Sequence, residues 1–423
     1  MIIIGFLKKV KKKLYGKHHS QKCDKCNNPA TRTTTTKDGK DLHLCSNCYI
    51  LLQLIMMVEN RVFEKTLLER AFQQYRHAQG AKDFIGAVIS FEEIIAKIED
   101  LIEEYHLRIL SSSEEEAAKS YLKLITDFLD VLAEVHDRAG RSSFLANRFS
   151  PASPTYTIAI EHFIKAIQNK LPFRYGSPGL EKEINRWARE SGKAKDMPLL
   201  EIPRPVRLLQ TSKLEPMINF NELASKLGQA DGLMLLNTYV RYQNDIVWFA
   251  GCYHLLGQSL MKFGLLRRGG FLGRSSNEIH KRKLLLERLQ TNVFSHAEEV
   301  YRLALWCIEK LPISDVTYNL RKGYGTGLFD LGICLFKQAR FQESLELFKK
   351  ALEIYSEKEK KWPAPPNSDV GKADCQLYSA KCYLMLNEKK AAMHLAKIAL
   401  EMSKKLYIQD NVKEAEHLLE RLS

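Results

Sequence analysis

The chain has 423 residues, of which 45% are apolar and 27% are charged, and its formal net charge is +14. This composition excludes a disordered or collagen-like chain and predicts a folded protein with one large core or two to three smaller ones. The positive charge is concentrated at the front, because residues 1–50 carry ten Lys and one Arg against three Asp.

The first residues combine an apolar stripe with a run of lysines. Five lysines fall within positions 8–13. Four apolar residues recur beside them at helical spacing: Ile3, Leu7, Val10 and Leu14. This pattern predicts a basic amphipathic leader over residues 1–20. Such a leader would engage an anionic membrane surface or an acidic partner, bind nucleic acid, or pack on the protein's own body.

The N-terminus and the cysteines together predict a cytoplasmic protein. The apolar residues of the N-terminus precede its basic ones, which reverses the order of a secretory signal, and no apolar run is long enough to cross a bilayer. Five single cysteines lie in apolar helical patterns and are predicted to be reduced core residues. They are Cys252, Cys307, Cys334, Cys375 and Cys382.

Two CxxC pairs bracket a threonine-rich segment, with eighteen residues between the pairs. This spacing is typical of a zinc ribbon, in which each CxxC turn supplies two thiolates to a tetrahedral zinc. Between the pairs, TRTTTT and DLHLC favour strands and Asp38-Gly39 favours a hairpin turn. The sequence therefore predicts a zinc ribbon over residues 21–50 with one structural Zn²⁺ per chain. Its predicted ligands are Cys23, Cys26, Cys45 and Cys48.

This segment also resembles a known zinc module. CDKCNNPAT, followed by KDG and LHLCSNC, is similar to the N-terminal zinc ribbon of the activator subunit of bacterial protein arginine kinases, and of related adaptors of the Clp unfoldase system. The resemblance implies zinc ligation by the four matching cysteines. It covers about 26 residues, so it implies nothing about kinase activation.

Amphipathic patterns predict helices from Tyr49 onward. The predicted helices span 49–77, 83–108, 114–138, 154–171, 216–264, 278–311, 318–338, 341–358, 371–386, 389–406 and 411–422. The tract with the weakest helical pattern, 172–215, carries five prolines. We therefore expect an N-terminal helical unit over 51–175, a Pro-rich connector over 176–215 and helical repeats over 216–423.

Small and aromatic residues recur at fixed offsets in the C-terminal half. The offsets match the tetratricopeptide repeat (TPR), in which small residues let two antiparallel helices approach and a large ring fills the space between them. Three copies carry the pattern: Gly332, Ser344, Phe348 and Ala351; Ala380, Tyr383, Ala392 and Ala396; and Gly257, Leu260, Ala297 and Tyr301. The chain thus resembles an irregular TPR-like α-solenoid, a mainly α fold with a small β-hairpin zinc ribbon at its front.

A TPR solenoid usually binds a peptide or protein in the groove lined by the first helix of each pair. The resemblance implies six groove positions: His254, Gln258, Phe329, Ile333, Leu377 and Lys381. These positions lack the Lys/Asn set with which some TPR proteins clamp a C-terminal carboxylate. We therefore expect a partner that is held mainly by apolar contacts.

The sequence carries no catalytic signature. HExxH, a nucleophile elbow and kinase motifs are absent, and the glycine-rich KGYGTG at 322–327 neither follows a strand nor contains GK[ST]. We predict a non-enzymatic adaptor without a small-molecule substrate, in which the ribbon makes a second contact. The alternative is a nucleic-acid-associated regulatory protein that uses the basic ribbon. No exposed aromatic residue is expected between the CxxC pairs, which favours protein binding.

Overall fold

A computed structural model gives the structure of the chain. It describes residues 84–149, 155–170, 207–208, 232–268, 283–311, 318–356 and 366–423, two strands at 32–35 and 41–44, and the single positions 24, 52 and 73. The predicted leader, the four CxxC cysteines and most of the predicted connector lie outside these residues.

The described part of the chain is mainly α-helical, as predicted. Its strands are β1 (Arg32–Thr35) and β2 (Asp41–Leu44). Its helices are α1 (Ile85–Ser111), α2 (Glu115–Phe149), α3 (Thr155–Lys170), α4 (Gly232–Arg268), α5 (Lys283–Glu309), α6 (Tyr318–Lys337), α7 (Phe341–Ser356), α8 (Pro366–Met385), α9 (Lys389–Lys405) and α10 (Gln409–Leu422). None of the helices in these residues is long and apolar enough to cross a membrane.

The chain divides into two compact units. The first comprises 1–151, 168–176 and 216–229, and the second comprises 152–167, 177–215 and 230–423. In the first unit α1 packs against α2 along an apolar stripe. Ile94, Ile98 and Ile102 form part of this stripe and are completely buried. Their spacing of four residues places them on one side of the helix, which explains why α1 forms here.

Helices α4 to α10 of the second unit pack in chain order. Each helix contacts the next, and contacts also join the alternate helices α4 with α6, α6 with α8, and α8 with α10. This is the solenoid-like arrangement that the sequence predicts. It follows from the paired apolar faces of the helices, because each helix must bury one face against the helix before it and another against the helix after it.

Two glycines permit close helix contacts. A Cβ atom on Gly332 would lie 2.6 Å from Cε1 of Phe348, and one on Gly257 would lie 2.7 Å from Cε1 of Tyr301. Both rings are almost completely buried. The Ser344 hydroxyl adds a hydrogen bond of 2.6 Å to the Gly332 carbonyl. The predicted contact between a small residue and a large ring is therefore confirmed at both positions.

Three of the inter-helix turns share one backbone geometry. The residues Ala339, Asn387 and Tyr407 each have a positive φ, of 61°, 65° and 58°. In each turn the next residue donates its N–H to the carbonyl five positions earlier, as Ile408 does to Ser403 at 2.9 Å. This is the Schellman motif, which satisfies carbonyls at a helix C-terminus.

The five single cysteines are free and buried, as predicted. Burial raises the pKa of the Cys334 thiol to about 12 and that of Cys382 to about 11. The thiols can also form hydrogen bonds within the core: Cys334 Sγ donates to the Phe294 carbonyl at 3.1 Å. These side chains therefore fill the helix interfaces as neutral thiols.

Candidate functional site

The six predicted groove positions lie on the alternate helices α4, α6 and α8. His254 and Gln258 are on α4, Phe329 and Ile333 on α6, and Leu377 and Lys381 on α8. Because α4 contacts α6 and α6 contacts α8, side chains from all three helices can form one continuous surface. We call the surface formed by these helices the α4–α6–α8 face.

A polar group joins α4 to α6 on this face. Gln258 Nε2 donates to Oδ2 of Asp330 at 2.9 Å, and His254 Nε2 lies 3.4 Å from the same oxygen. Burial raises the pKa of Asp330, although His254, Gln258 and Lys262 oppose the increase. Two predicted positions thus meet at one carboxylate, that of Asp330, which was not among the predicted site residues.

Aromatic side chains form the middle of the α4–α6–α8 face. The Phe329 ring centre lies 5.4 Å from that of Phe348 and 5.5 Å from that of Tyr378, and the Phe336 ring lies 6.1 Å from Tyr378. Phe329, Ile333, Phe336 and Tyr378 are only partly buried and pack on a core cluster that contains Phe348. They leave apolar surface accessible. We call the surface formed by these three aromatic residues and Ile333 the aromatic patch.

Leu377 does not belong to the surface. It is completely buried in a cluster with Ala380, Ala392 and Leu418. A side chain without solvent exposure cannot contact a partner, so the prediction that Leu377 faces the groove is wrong. The small alanines of α8 and α9 allow the helices to approach closely and enclose Leu377 in the core.

Lys381 lies at the edge of the aromatic patch. Its Nζ is 2.6 Å from Oε1 of Glu414 and 4.2 Å from the centre of the Tyr378 ring. Nearby, Asn411 Nδ2 donates to Oδ1 of Asp374 at 2.5 Å. These contacts join α8 to α10. The position of the Lys381 ammonium group over the Tyr378 ring is a favourable electrostatic contact.

The glycine-rich segment 322–327 lies inside α6. A Cβ on Gly325 would lie 3.0 Å from Cγ2 of Ile354, and one on Gly327 would lie 2.9 Å from Cδ2 of Leu305. Both glycines therefore permit close helix packing.

The two predicted ribbon strands form an antiparallel hairpin. Arg32 pairs with Leu44, Thr33 with His43, Thr34 with Leu42 and Thr35 with Asp41. The backbone N–H of Asp24 donates to the His43 carbonyl at 2.9 Å, and the N–H of His43 donates to Oδ2 of Asp24 at 2.7 Å.

These contacts join the two ends of the ribbon sequence, because Asp24 lies within the first CxxC pair and His43 precedes the second by two residues. Within the residues that the structure describes, no group of three or more His, Cys, Asp or Glu side chains could hold a metal ion. The cysteines of both pairs lie outside those residues.

Comparison with known proteins gives no family assignment. No protein family matches the chain, and no curated protein sequence matches it. Similar solved structures include the crystal structure of BtubC (BKLC) from P. vanneervenii, with 13% sequence identity and a TM-score of 0.24. That match covers 66% of this chain and 92% of the other.

Proposed function

We propose that the protein is a cytoplasmic, non-enzymatic adaptor that binds a protein or peptide on the α4–α6–α8 face, with a zinc ribbon as a second contact. The observation that carries this proposal is the aromatic patch. Partly exposed aromatic side chains on a packed scaffold are typical anchors of protein interfaces. Five buried, free cysteines support a reducing compartment.

We further propose that α4 to α10 form an irregular TPR solenoid. Two features support this assignment. The Gly332–Phe348 and Gly257–Tyr301 contacts occur at corresponding repeat positions, and three inter-helix turns have the same Schellman geometry. In such a solenoid the first helices of successive pairs line one surface, and here those helices would be α4, α6 and α8.

The proposed binding surface is apolar in the middle and polar on both sides. The aromatic patch would bury apolar side chains of the partner, with the polar group around Asp330 on one side and Lys381 on the other. Gln258 and His254 each already contact Asp330. Their hydrogen-bonding groups are therefore held in place before a partner binds, which lowers the entropic cost of binding.

Ile333→Gln tests the binding surface. The wild-type chain is used to select binders from a random 12-residue peptide library. We expect selected peptides to lose about 10-fold in affinity for Ile333→Gln, because the variant places an amide where an apolar side chain would bind. The matched control is Ile398→Gln on α9, since Ile398 is also a partly buried isoleucine. Failure to select any peptide, or equal loss in both variants, would contradict the proposal.

The zinc ribbon is proposed from the CxxC spacing and supported by the β1–β2 hairpin and the reciprocal Asp24–His43 contact. Because a hairpin of this size has too little core to be stable alone, the metal would supply most of its stability. Four thiolates would close the coordination shell and leave no site for catalysis.

Metal analysis tests the ribbon. We expect one zinc per chain after purification without chelator, and loss of that zinc in Cys23→Ser and Cys45→Ser. Cys307→Ser is the control, because this cysteine is buried in the helical core. Metal-free wild-type protein, or a Cys45→Ser variant that keeps its zinc, would refute the ribbon.

A further inference from the structure

Tyr407 occupies an unfavourable backbone conformation without burying its ring. Its φ is 58°, in the left-handed region, and the residue is 85% exposed. The equivalent position of another turn holds Asn387, whose short polar side chain tolerates this region. A bulky residue is an outlier there. The turn would be more stable with glycine or asparagine, and exposure leaves the ring little packing energy to offset the strain.

A row of exposed lysines leads along α9 to this turn. Lys390, Lys397 and Lys404 are seven residues apart and all exposed. Residues at that spacing lie on the same side of an α-helix, about 10 Å apart. Lys404 Nζ lies 3.0 Å from Oε1 of Glu416, but both side chains are about half exposed, so this pair is weak. In the part of the chain that the structure describes, Lys390 and Lys397 form no ion pair.

The row keeps an excess of positive charge despite nearby carboxylates. Glu401 lies on α9 between the second and third lysines, and Asp410 follows the turn. Lys389 and Lys405, the first and last residues of α9, add two further exposed ammonium groups, and the exposed Glu388 precedes the helix. A ligand on this surface would therefore meet several cations and one freely accessible aromatic ring.

We propose that Tyr407, Lys390, Lys397 and Lys404 form a binding surface for single-stranded nucleic acid. The lysines would contact phosphates along the strand, and an unpaired base would stack on the Tyr407 ring. Duplex would not offer a free base face to the ring. An acidic peptide without aromatic residues would pair with the lysines but would offer no ring to stack on the tyrosine. This surface is distinct from the α4–α6–α8 face and does not depend on it.

Tyr407→Asn separates binding from folding. The full-length chain is titrated with a fluorescein-labelled oligo(dT) of 20 nucleotides, and binding is followed by fluorescence anisotropy. We expect the variant to bind about 10-fold more weakly because it loses one stacking contact. We expect its thermal unfolding midpoint to stay equal or rise, because asparagine suits the left-handed conformation. Unchanged affinity would overturn the proposal.

A charge-matched pair of triple variants tests the lysine row. Lys390→Gln, Lys397→Gln and Lys404→Gln together should make the negative slope of log affinity against log salt shallower by about 2, as expected for the loss of three phosphate contacts. Lys97→Gln, Lys262→Gln and Lys350→Gln remove the same charge from exposed positions elsewhere and should leave the slope unchanged. Equal slope changes in both would overturn the proposal, as would displacement of the oligonucleotide by polyglutamate at equal charge concentration.

Discussion

Phe348→Ala is expected to lower the free energy of unfolding by about 3–5 kcal/mol. The ring is completely buried between α6 and α8, where its centre lies 5.4 Å from that of Phe329 and 5.6 Å from that of Tyr378. Removing the ring would leave a cavity that the neighbouring helices could close only in part. Urea denaturation followed by circular dichroism measures the change.

Phe341→Ala is the control for this substitution. Phe341 is the first residue of α7 and is only partly buried, so its truncation removes less buried surface. We expect it to cost less than about half as much as Phe348→Ala. Equal costs would mean that Phe348 does not have the central packing role assigned to it.

Gly332→Ala is expected to destabilise the protein by about 1–3 kcal/mol, through overpacking. The added Cβ would lie 2.6 Å from Cε1 and 2.9 Å from Cδ1 of Phe348, so either the ring or the helix must move. The hydrogen bond from Ser344 to the Gly332 carbonyl opposes movement of the backbone. Glycine is therefore required here by the distance between α6 and α7.

Gly323→Ala provides the control within the same helix. A Cβ at Gly323 would meet no atom within 4 Å. Because alanine favours a helix more than glycine does, we expect this variant to be neutral or stabilised by up to about 1 kcal/mol. In thermal and urea unfolding, the midpoint of Gly332→Ala should therefore fall below that of the wild type, and the midpoint of Gly323→Ala should stay equal or rise. Equal destabilisation would contradict the packing explanation.

The spacing of small and aromatic residues in the repeats predicted inter-helix contacts correctly where packing alone determines the residue type. The Gly332–Phe348 and Gly257–Tyr301 contacts follow directly from the spacing of small and aromatic residues. The same offsets failed at Leu377, because they assign a residue to a helix and a side of that helix but do not determine how closely the following helices cover it. In α8 the neighbouring alanines permit full coverage.

Other features had weak or no sequence signals. Asp330 stands alone in the apolar run GLFDLGI, which could have marked it as a buried polar contact. The left-handed turn at Tyr407 has no glycine or asparagine to indicate it. Helix α2 continues to Phe149, beyond the predicted end at 138, because Ala139, Ser142 and Ser143 are buried and tertiary packing outweighs the low helix propensity of the RAGRSS segment.

The binding surface on α4, α6 and α8 is tested most directly by calorimetric titration of one library-selected peptide. The wild-type chain, Ile333→Gln and Ile398→Gln are measured in parallel, after thermal unfolding has established that all three are folded. We predict similar Kd values for wild type and Ile398→Gln, and a Kd about 10-fold higher for Ile333→Gln. Equal Kd values for the three chains would contradict binding on this face.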